Sequence, residues 1–143
     1  MRMLRLLLFA GWTPSRLLPD VGITLLRIFT GLAMALAHGW DKMNQPTEAL
    51  VARAEGVGFP FPTVFGYAAA LSEFVGGLLL ATGLLTRLSA FFIACTMAVA
   101  AFIHHAEDPF GDKERALLFL FICVQFIFLG GGRFSVDHFL RRV

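Results

Sequence analysis

The sequence predicts an all-α integral membrane protein, a four-transmembrane-helix antiparallel bundle with short interfacial segments at its termini. Of its 143 residues, 57% are hydrophobic and only 15% are charged, whereas soluble domains carry about 25% charged residues. Mean hydropathy is +0.74. The apolar residues gather in four segments near the length that crosses a hydrocarbon core of about 30 Å. We therefore expect one membrane domain covering residues 1–143.

The predicted spans follow from apolar length and from the prolines at their boundaries. They cover residues 21–37, 63–85, 88–103 and 116–129. Only Thr86 and Arg87 separate the second span from the third, so these helices must be antiparallel neighbours. The longest connection, residues 38–62, contains a predicted short helix over 47–55 that ends at Gly56 and Gly58.

Both termini carry short segments suited to a membrane surface. The start, with Arg2 and Arg5 before the apolar residues 6–10, predicts an interfacial segment with Trp12 at headgroup level. At the other end Ser135 can cap a short helix, and the arginines of that helix would face lipid phosphates.

The distribution of basic residues predicts the orientation. An even number of spans places both termini and the Arg87 turn on one side, which holds seven bases against four on the other. The seven are Arg2, Arg5, Arg16, Arg87, Arg133, Arg141 and Arg142, and the four are Lys42, Arg53, Lys113 and Arg115. By the positive-inside rule, the termini lie in the cytoplasm and the two long loops lie outside a bacterial-type inner membrane. A net charge of +2 is too small to indicate a nucleic-acid partner.

Two charges lie inside the predicted spans, Arg27 in the first and Glu73 in the second. A charge at the bilayer centre costs about 2.5–3.5 kcal/mol, so each needs a partner. At ~1.5 Å per residue both lie roughly 12–14 Å above the inner interface, which predicts an ion pair between them. Gln125, at about the same level, could bond the spare donors and acceptors of the pair. Two interpretations stay open: a staple that fixes helix packing, and a proton-handling or ligand site.

Histidines mark the outer ends of two predicted spans. His38 ends the first span and is followed by Asp41 and Lys42, and His104 and His105 end the third. Such rings could ligate a haem or a metal, or pass a proton to a quinone headgroup. Because the sequence contains no HxxxH or CxxCH pattern, haem and metal are the less favoured ligands. A polar ligand pocket and simple interfacial residues both stay open.

The two cysteines, Cys95 and Cys123, are predicted at depths about 10 Å apart, too far for a disulfide. They form no CxxC motif, and the sequence has no dinucleotide fingerprint. If electrons pass through this protein, a cofactor or a partner has to bring them.

The order and spacing of several short motifs resemble the DoxX family over nearly the whole chain. They are Leu26-Arg27-Ile28 with Gly31, His38-Gly39 with Lys42, Gly58-Phe59-Pro60, Ser72-Glu73 with Gly76-Gly77, Gly83-Leu84 with Thr86-Arg87, and Gly130-Gly131-Gly132-Arg133-Phe134-Ser135-Val136-Asp137. Gly131 stands where the closing motif of the family usually has a proline, a small departure at a turn.

The resemblance implies a small four-helix inner-membrane protein. The related DoxD is a membrane subunit of an archaeal thiosulfate:quinone oxidoreductase, and other DoxX-like proteins are associated with oxidative-stress complexes or act as assembly helpers. The resemblance points to six residues: Arg27, His38, Lys42, Glu73, Arg87 and His104.

Three classes of function are compatible with these observations. The first is the membrane subunit of an oxidoreductase that holds a quinone headgroup near the outer end of the bundle. The second is a non-enzymatic adaptor whose acidic outer loops dock a soluble redox or stress-response protein. The third is a small-molecule carrier, which would have to be a homo-oligomer because four short helices enclose a narrow lumen.

Overall fold

A computed structural model describes residues 17–142, and this part of the chain is helical with no β-strand. Its helices are α1 (Leu17–Met43), α2 (Thr47–Gly56), α3 (Pro62–Thr82), α4 (Thr86–His104), α5 (Phe110–Leu129) and α6 (Val136–Leu140). Two of them contain a π-helical stretch, Ala35–Gly39 within α1 and Ala100–His104 at the end of α4. The predicted amino-terminal interfacial segment lies outside the described residues.

Within residues 17–142, three helices are long and apolar enough to cross a membrane: α1, α3 and α4. Large apolar side chains on these helices face outward, among them Leu25, Phe29 and Phe92, which are half or more exposed. Such a surface is stable in hydrocarbon and not in water. The chain is therefore a helical membrane protein.

Helix bounds differ most from the predicted spans at two places. The first helix continues past residue 37 to Met43, because the π-helical stretch keeps the backbone hydrogen-bonded through His38 and Gly39. The fifth helix begins at Phe110, directly after Pro109, and not at residue 116. Acidic residues such as Asp112 are favourable beside the amino-terminal end of the helix dipole, so its polar first turns stay helical. The predicted short helix over 47–55 is confirmed as α2.

Helix α3 lies at the centre, packed against α1, α2 and α4, while α4 also packs along α5. Gly31 on α1 and Gly77 on α3 face each other so closely that a Cβ on either would overlap backbone atoms of the other helix. Small residues allow this approach in lipid, where dispersion between close backbones stabilises helix pairs. The buried core beside this contact includes Met34, Leu80 and Ile93.

The carboxyl-terminal segment closes one end of the bundle. The turn between α3 and α4 uses Gly83 in the left-handed region, with φ of +73°, where glycine carries no steric penalty. The Asp137 N–H donates to the Gly83 carbonyl at 2.9 Å. The Asp137 carboxylate accepts from the N–H groups of Leu85 and Thr86 at 2.8 and 2.9 Å, which caps the amino terminus of α4. We call this arrangement of residues 83–86 and 134–137 the clasp.

Arg27 lies under the clasp and is 1% exposed. Its guanidinium donates to the carbonyls of Leu80, at 2.9 Å, and of Ala81 on α3, and to the Phe134 carbonyl of the clasp at 2.8 Å. A guanidinium can satisfy several carbonyls at once because its donors are fixed in a planar fork. Arg27 therefore holds α1, α3 and the clasp together.

The predicted cap at Ser135 is confirmed: its Oγ accepts from the His138 N–H at 3.2 Å, at the start of α6.

The clasp should weaken in acid. Burial by itself raises the pKa of the Asp137 carboxyl, but hydrogen bonds from Thr86 and Leu85 and the charge of Arg141 outweigh it, so the pKa lies below its ordinary value of 3.8. A lowered folded-state pKa adds stability above the unfolded value, and this contribution is lost as pH falls through the folded pKa. We expect amide-exchange protection at Leu85 and Thr86 to decrease below about pH 4, because the Asp137 carboxylate becomes protonated. Asp137→Asn removes this titration, so the variant should not show the decrease. Protection that stays constant down to about pH 2 in the wild type would contradict this assignment.

Candidate functional site

A cavity of about 640 Å³ opens at the end of the bundle opposite the clasp. This volume lies within the range of small-molecule sites, roughly 300–1,000 Å³. Its wall is formed by side chains from α1 to α5 and from the loop before α5. The charged and titratable lining residues are His38, Lys42, Arg53, Glu73, His104, His105, Asp108, Asp112 and Arg115. Aromatic and aliphatic groups complete the wall, chiefly Leu50, Val57, Phe59, Phe65, Met97 and Phe119.

An ion pair forms the deepest polar part of this cavity. The Lys42 Nζ lies 2.6 Å from the Glu73 Oε1, and the side chains are 27% and 1% exposed. The pair depends on close backbone packing one turn earlier, where Gly39 sits against Glu73 and Phe74 with no room for a Cβ. This contact brings α1 near enough to α3 for the Lys42 ammonium to reach the buried carboxylate.

The predicted ion pair between Arg27 and Glu73 is wrong. Glu73 is paired with Lys42, and Arg27 donates to carbonyls at the clasp. Eight residues of α3 separate Glu73 from Ala81, which is about 12 Å along the axis. Depths counted from the prolines missed this separation because they placed Arg27 a third or more of the way into the membrane, whereas Arg27 lies level with Leu80 and Ala81 in the last turn of α3.

Glu73 has unused hydrogen-bonding capacity. Its second carboxylate oxygen, Oε2, is buried and has no hydrogen-bond partner among residues 17–142. An unsatisfied buried acceptor is costly, and more so when it carries charge. A carboxylate oxygen left in this way at a cavity wall is suited to accept a hydrogen bond from a bound molecule.

Both π-helical stretches carry a cavity histidine, His38 in α1 and His104 in α4. A π-turn inserts an extra residue into a helix and is often found at functional sites, since it re-aims the following side chains. The His38 ring meets the edge of Phe119 at a centroid distance of 5.6 Å, and His104 stacks edge-on against His105 at 4.6 Å. His105 is paired with Asp108 at 2.7 Å.

The structure brings four predicted residues together at the cavity: His38, Lys42, Glu73 and His104. His105, a weaker metal candidate, also lines it. In the described part of the chain, no three His, Cys, Asp or Glu side chains come together in a way that could hold a metal ion.

Four other predicted residues lie elsewhere. Arg27 belongs to the clasp, and Arg87 near the same end is exposed and donates to the Phe128 carbonyl at 3.2 Å. Asp41 is exposed on α1 and is not part of the cavity wall. Gln125 is exposed on the outer face of α5, so the prediction that it bonds a buried charge pair is wrong. Its depth was a reasonable estimate, but the rotation of α5 turns it away from the core.

Sequence reasoning missed Arg53 and Arg115, which it treated only as loop charges. Both line the cavity. Arg115 lies four residues before Phe119, and side chains four apart share one face of a helix. Because Phe119 contacts His38, Arg115 on the same face of α5 could be expected at the cavity, but only once the contact between α1 and α5 was known.

Comparison with known proteins gives consistent matches. The model of the DoxX family matches residues 22–106. The "Inner membrane protein YqjF" of Escherichia coli is 32% identical over 133 residues, covering 87% of this chain and 96% of the relative. The "Putative oxidoreductase CatD" of Bacillus subtilis is 29% identical over 122 residues, covering 85% of this chain and 88% of the relative. No solved structure matches the chain.

The Lys42–Glu73 pair should stabilise the fold mainly by avoiding a stranded charge. Lys42→Met leaves a buried carboxylate without a counter-charge, and we expect a loss of roughly 2–3 kcal/mol of unfolding free energy, below the full cost of breaking a buried pair because Lys42 is part exposed. Adding Glu73→Gln removes that charge and should recover most of the loss. Denaturation in mixed micelles measures both.

Lys113→Met is the matched control, because Lys113 donates only to the Ala106 carbonyl on the exposed surface. We expect it to cost less than about 1 kcal/mol. A double variant less stable than Lys42→Met alone would contradict the stranded-charge explanation. Loss of the fold in Glu73→Gln alone would favour the interpretation of Glu73 as a structural staple.

Proposed function

The chain belongs to the DoxX family of membrane proteins, and from this membership and the geometry of its cavity we propose that it is a redox-linked membrane subunit that binds a quinone headgroup. The observation that carries the proposal is the buried Glu73, which lines the cavity and has one oxygen on Lys42 and the other without a partner among residues 17–142. The Bacillus subtilis relative named a putative oxidoreductase supports the redox link.

The proposal includes a four-span topology in which α5 is the fourth transmembrane helix. Its residues from Ala116 to Leu129 are almost entirely apolar, and its charges lie in the first two turns. A three-residue turn joins α3 to α4, so these two run antiparallel. From the sequence count of seven bases against four, the positive-inside rule places the termini, and with them the clasp, in the cytoplasm. The cavity then opens toward the outer face of an inner membrane.

The lining suits a flat ring with polar substituents. Phe59, Phe65 and Phe119 provide apolar surface, and aromatic rings pack well against one another in offset or edge-on arrangements. The ammonium of Lys42 and the ring N–H of His38 are donors for ligand oxygens. Histidine also exchanges protons near neutral pH, which quinone chemistry requires. Electrons would come from a separate redox protein, for which the exposed acidic loops offer a docking surface.

A non-enzymatic adaptor is the second candidate, favoured by that acidic surface. The exposed residues at the cavity end include Glu48, Glu55, Glu107, Asp108, Asp112 and Glu114. These acids outnumber the four bases at the same end, Lys42, Arg53, Lys113 and Arg115. A net negative face steers and orients a basic partner. An adaptor needs no small ligand, so a cavity that binds no quinone would leave this candidate as the better one.

Filling the cavity should abolish quinone binding. Ala69 lines the cavity, whereas its neighbour Ala68 is exposed on the outer face of α3. We expect Ala69→Phe to weaken binding of duroquinone at least tenfold and Ala68→Phe to leave it unchanged, measured by calorimetric titration of the protein in lipid nanodiscs. Duroquinone is chosen because its ring is fully substituted, so the exposed thiol of Cys95 cannot add to it.

Empty nanodiscs correct for partition of the quinone into lipid. Equal binding to the two variants would contradict the cavity as the site. The absorption spectrum of the purified protein, recorded before titration, checks for haem or flavin bands from a bound carrier.

A further inference from the structure

The hydrogen-bonding state of Glu73 indicates which form of the ring the cavity prefers. We propose that the site selects the reduced, hydroxyl-bearing ring, a hydroquinone or related diphenol, over the oxidised quinone. The inference rests on the proposed quinone-binding function and adds the redox form to it. It depends on one asymmetry: on Glu73, the most buried charged residue that lines the cavity, the atom without a partner among residues 17–142 is an acceptor.

Glu73 Oε2 can only accept hydrogen bonds. Glu73 Oε1 accepts from the Lys42 ammonium at 2.6 Å, and in such an ion pair both carboxylate oxygens are acceptors. Among residues 17–142 no group donates to Oε2, and the side chain is 1% exposed. The missing partner is therefore an O–H or N–H donor.

The two redox forms of the ring differ in this property. A quinone carries two carbonyl oxygens, which are acceptors, and an acceptor placed against Oε2 leaves both lone pairs unsatisfied and repelling each other. A hydroquinone carries two hydroxyls, each able to donate to Oε2 and to accept from the Lys42 ammonium beside it. A hydrogen bond to a buried charged group contributes a larger stabilisation than a neutral one. A site whose buried acceptor needs a donor rejects the ligand that has no hydroxyl to supply one, which here is the quinone.

Lys42 makes the preference specific to this corner of the cavity. One of its three donors is used on Glu73 Oε1, which leaves donors for the oxygen of a phenol. The phenol oxygen then receives a hydrogen bond from the ammonium and gives one to the carboxylate. The ion pair can thus make two hydrogen bonds to a hydroxyl, one from the ammonium and one to the carboxylate. A quinone carbonyl can only accept the one from the ammonium.

Tighter binding of the reduced form has a redox consequence. Each tenfold preference for the hydroquinone raises the two-electron reduction potential of the bound couple by about 30 mV. A bound quinone is thereby a stronger oxidant than the same quinone in the surrounding lipid. The site is suited to retain the ring after its reduction.

The experiment compares two ligands of nearly equal shape, duroquinone and durohydroquinone. Both are titrated anaerobically into the full chain in lipid nanodiscs, with empty nanodiscs as the reference for partition. We expect the wild type to bind the hydroquinone about tenfold or more tightly than the quinone, from the value of a hydrogen bond to a charged group. The potential of the bound couple, measured on the same sample, should rise by the matching amount.

Two variants identify the source of the preference. Glu73→Gln offers an amide N–H₂ where the carboxylate had an acceptor, so the ratio of the two affinities should fall to about one or below. Thr96→Val is the matched control: Thr96 also lines the cavity, but its hydroxyl is already bonded to Ser72 at 2.7 Å. The control should keep the wild-type ratio.

The outcomes separate this inference from the proposed function. If neither ligand binds the wild type, the proposed function fails. If both bind equally, or the quinone binds more tightly, quinone binding stands and the preference for the reduced form is overturned. An unchanged ratio in folded Glu73→Gln would show that Glu73 is not its source and would also overturn the inference. If Glu73→Gln does not fold, the ratio of the two affinities and the potential of the bound couple in the wild type still test the inference.

Discussion

A carboxylate buried among apolar helices must be neutralised from within the protein, and the cavity end of this molecule is organised by that constraint. The hydrocarbon of a membrane offers no water to solvate Glu73, so the Lys42 ammonium on the neighbouring helix takes that role. The pairing requires α1 to approach α3 without intervening side chains, which Gly39 permits. The polar end therefore depends on a backbone contact that carries no charge itself.

The same constraint has a different solution at the other end. Arg27 is as deeply buried as Glu73, but its charge is met by backbone carbonyls and not by a carboxylate. A guanidinium has five donors and can use the carbonyls that a helix end leaves free. Asp137 then caps the amino terminus of α4. At the clasp end Arg27 and Asp137 are thus bonded to backbone groups, whereas at the cavity end Glu73 Oε2 has no partner among residues 17–142.

This difference between the ends separates structural polar groups from those available to a ligand. At the clasp, Arg27 and Asp137 use most of their hydrogen-bonding capacity on backbone groups, which makes them part of the packing. At the cavity, Glu73 retains an oxygen, and π-helical stretches direct His38 and His104 toward the same space. Buried polar groups cost stability unless they are satisfied. A ligand therefore gains most binding free energy at a partly unsatisfied group beside a cavity of about 640 Å³.

The sequence by itself determined the membrane environment, the approximate helices, the helix boundaries at the prolines, the cap at Ser135, and the candidate set that includes His38, Lys42, Glu73 and His104. These follow from composition, apolar length and local chemistry, which act along the chain. Only the tertiary structure decided the pairing: Glu73 with Lys42, Arg27 with the clasp, Arg53 and Arg115 at the cavity, and Gln125 outside. Pairing depends on helix rotation, which changes by about 100° per residue, and on ends that shift depth by about 1.5 Å per residue. An error of a few residues leaves a helix recognisable but gives its charges different neighbours.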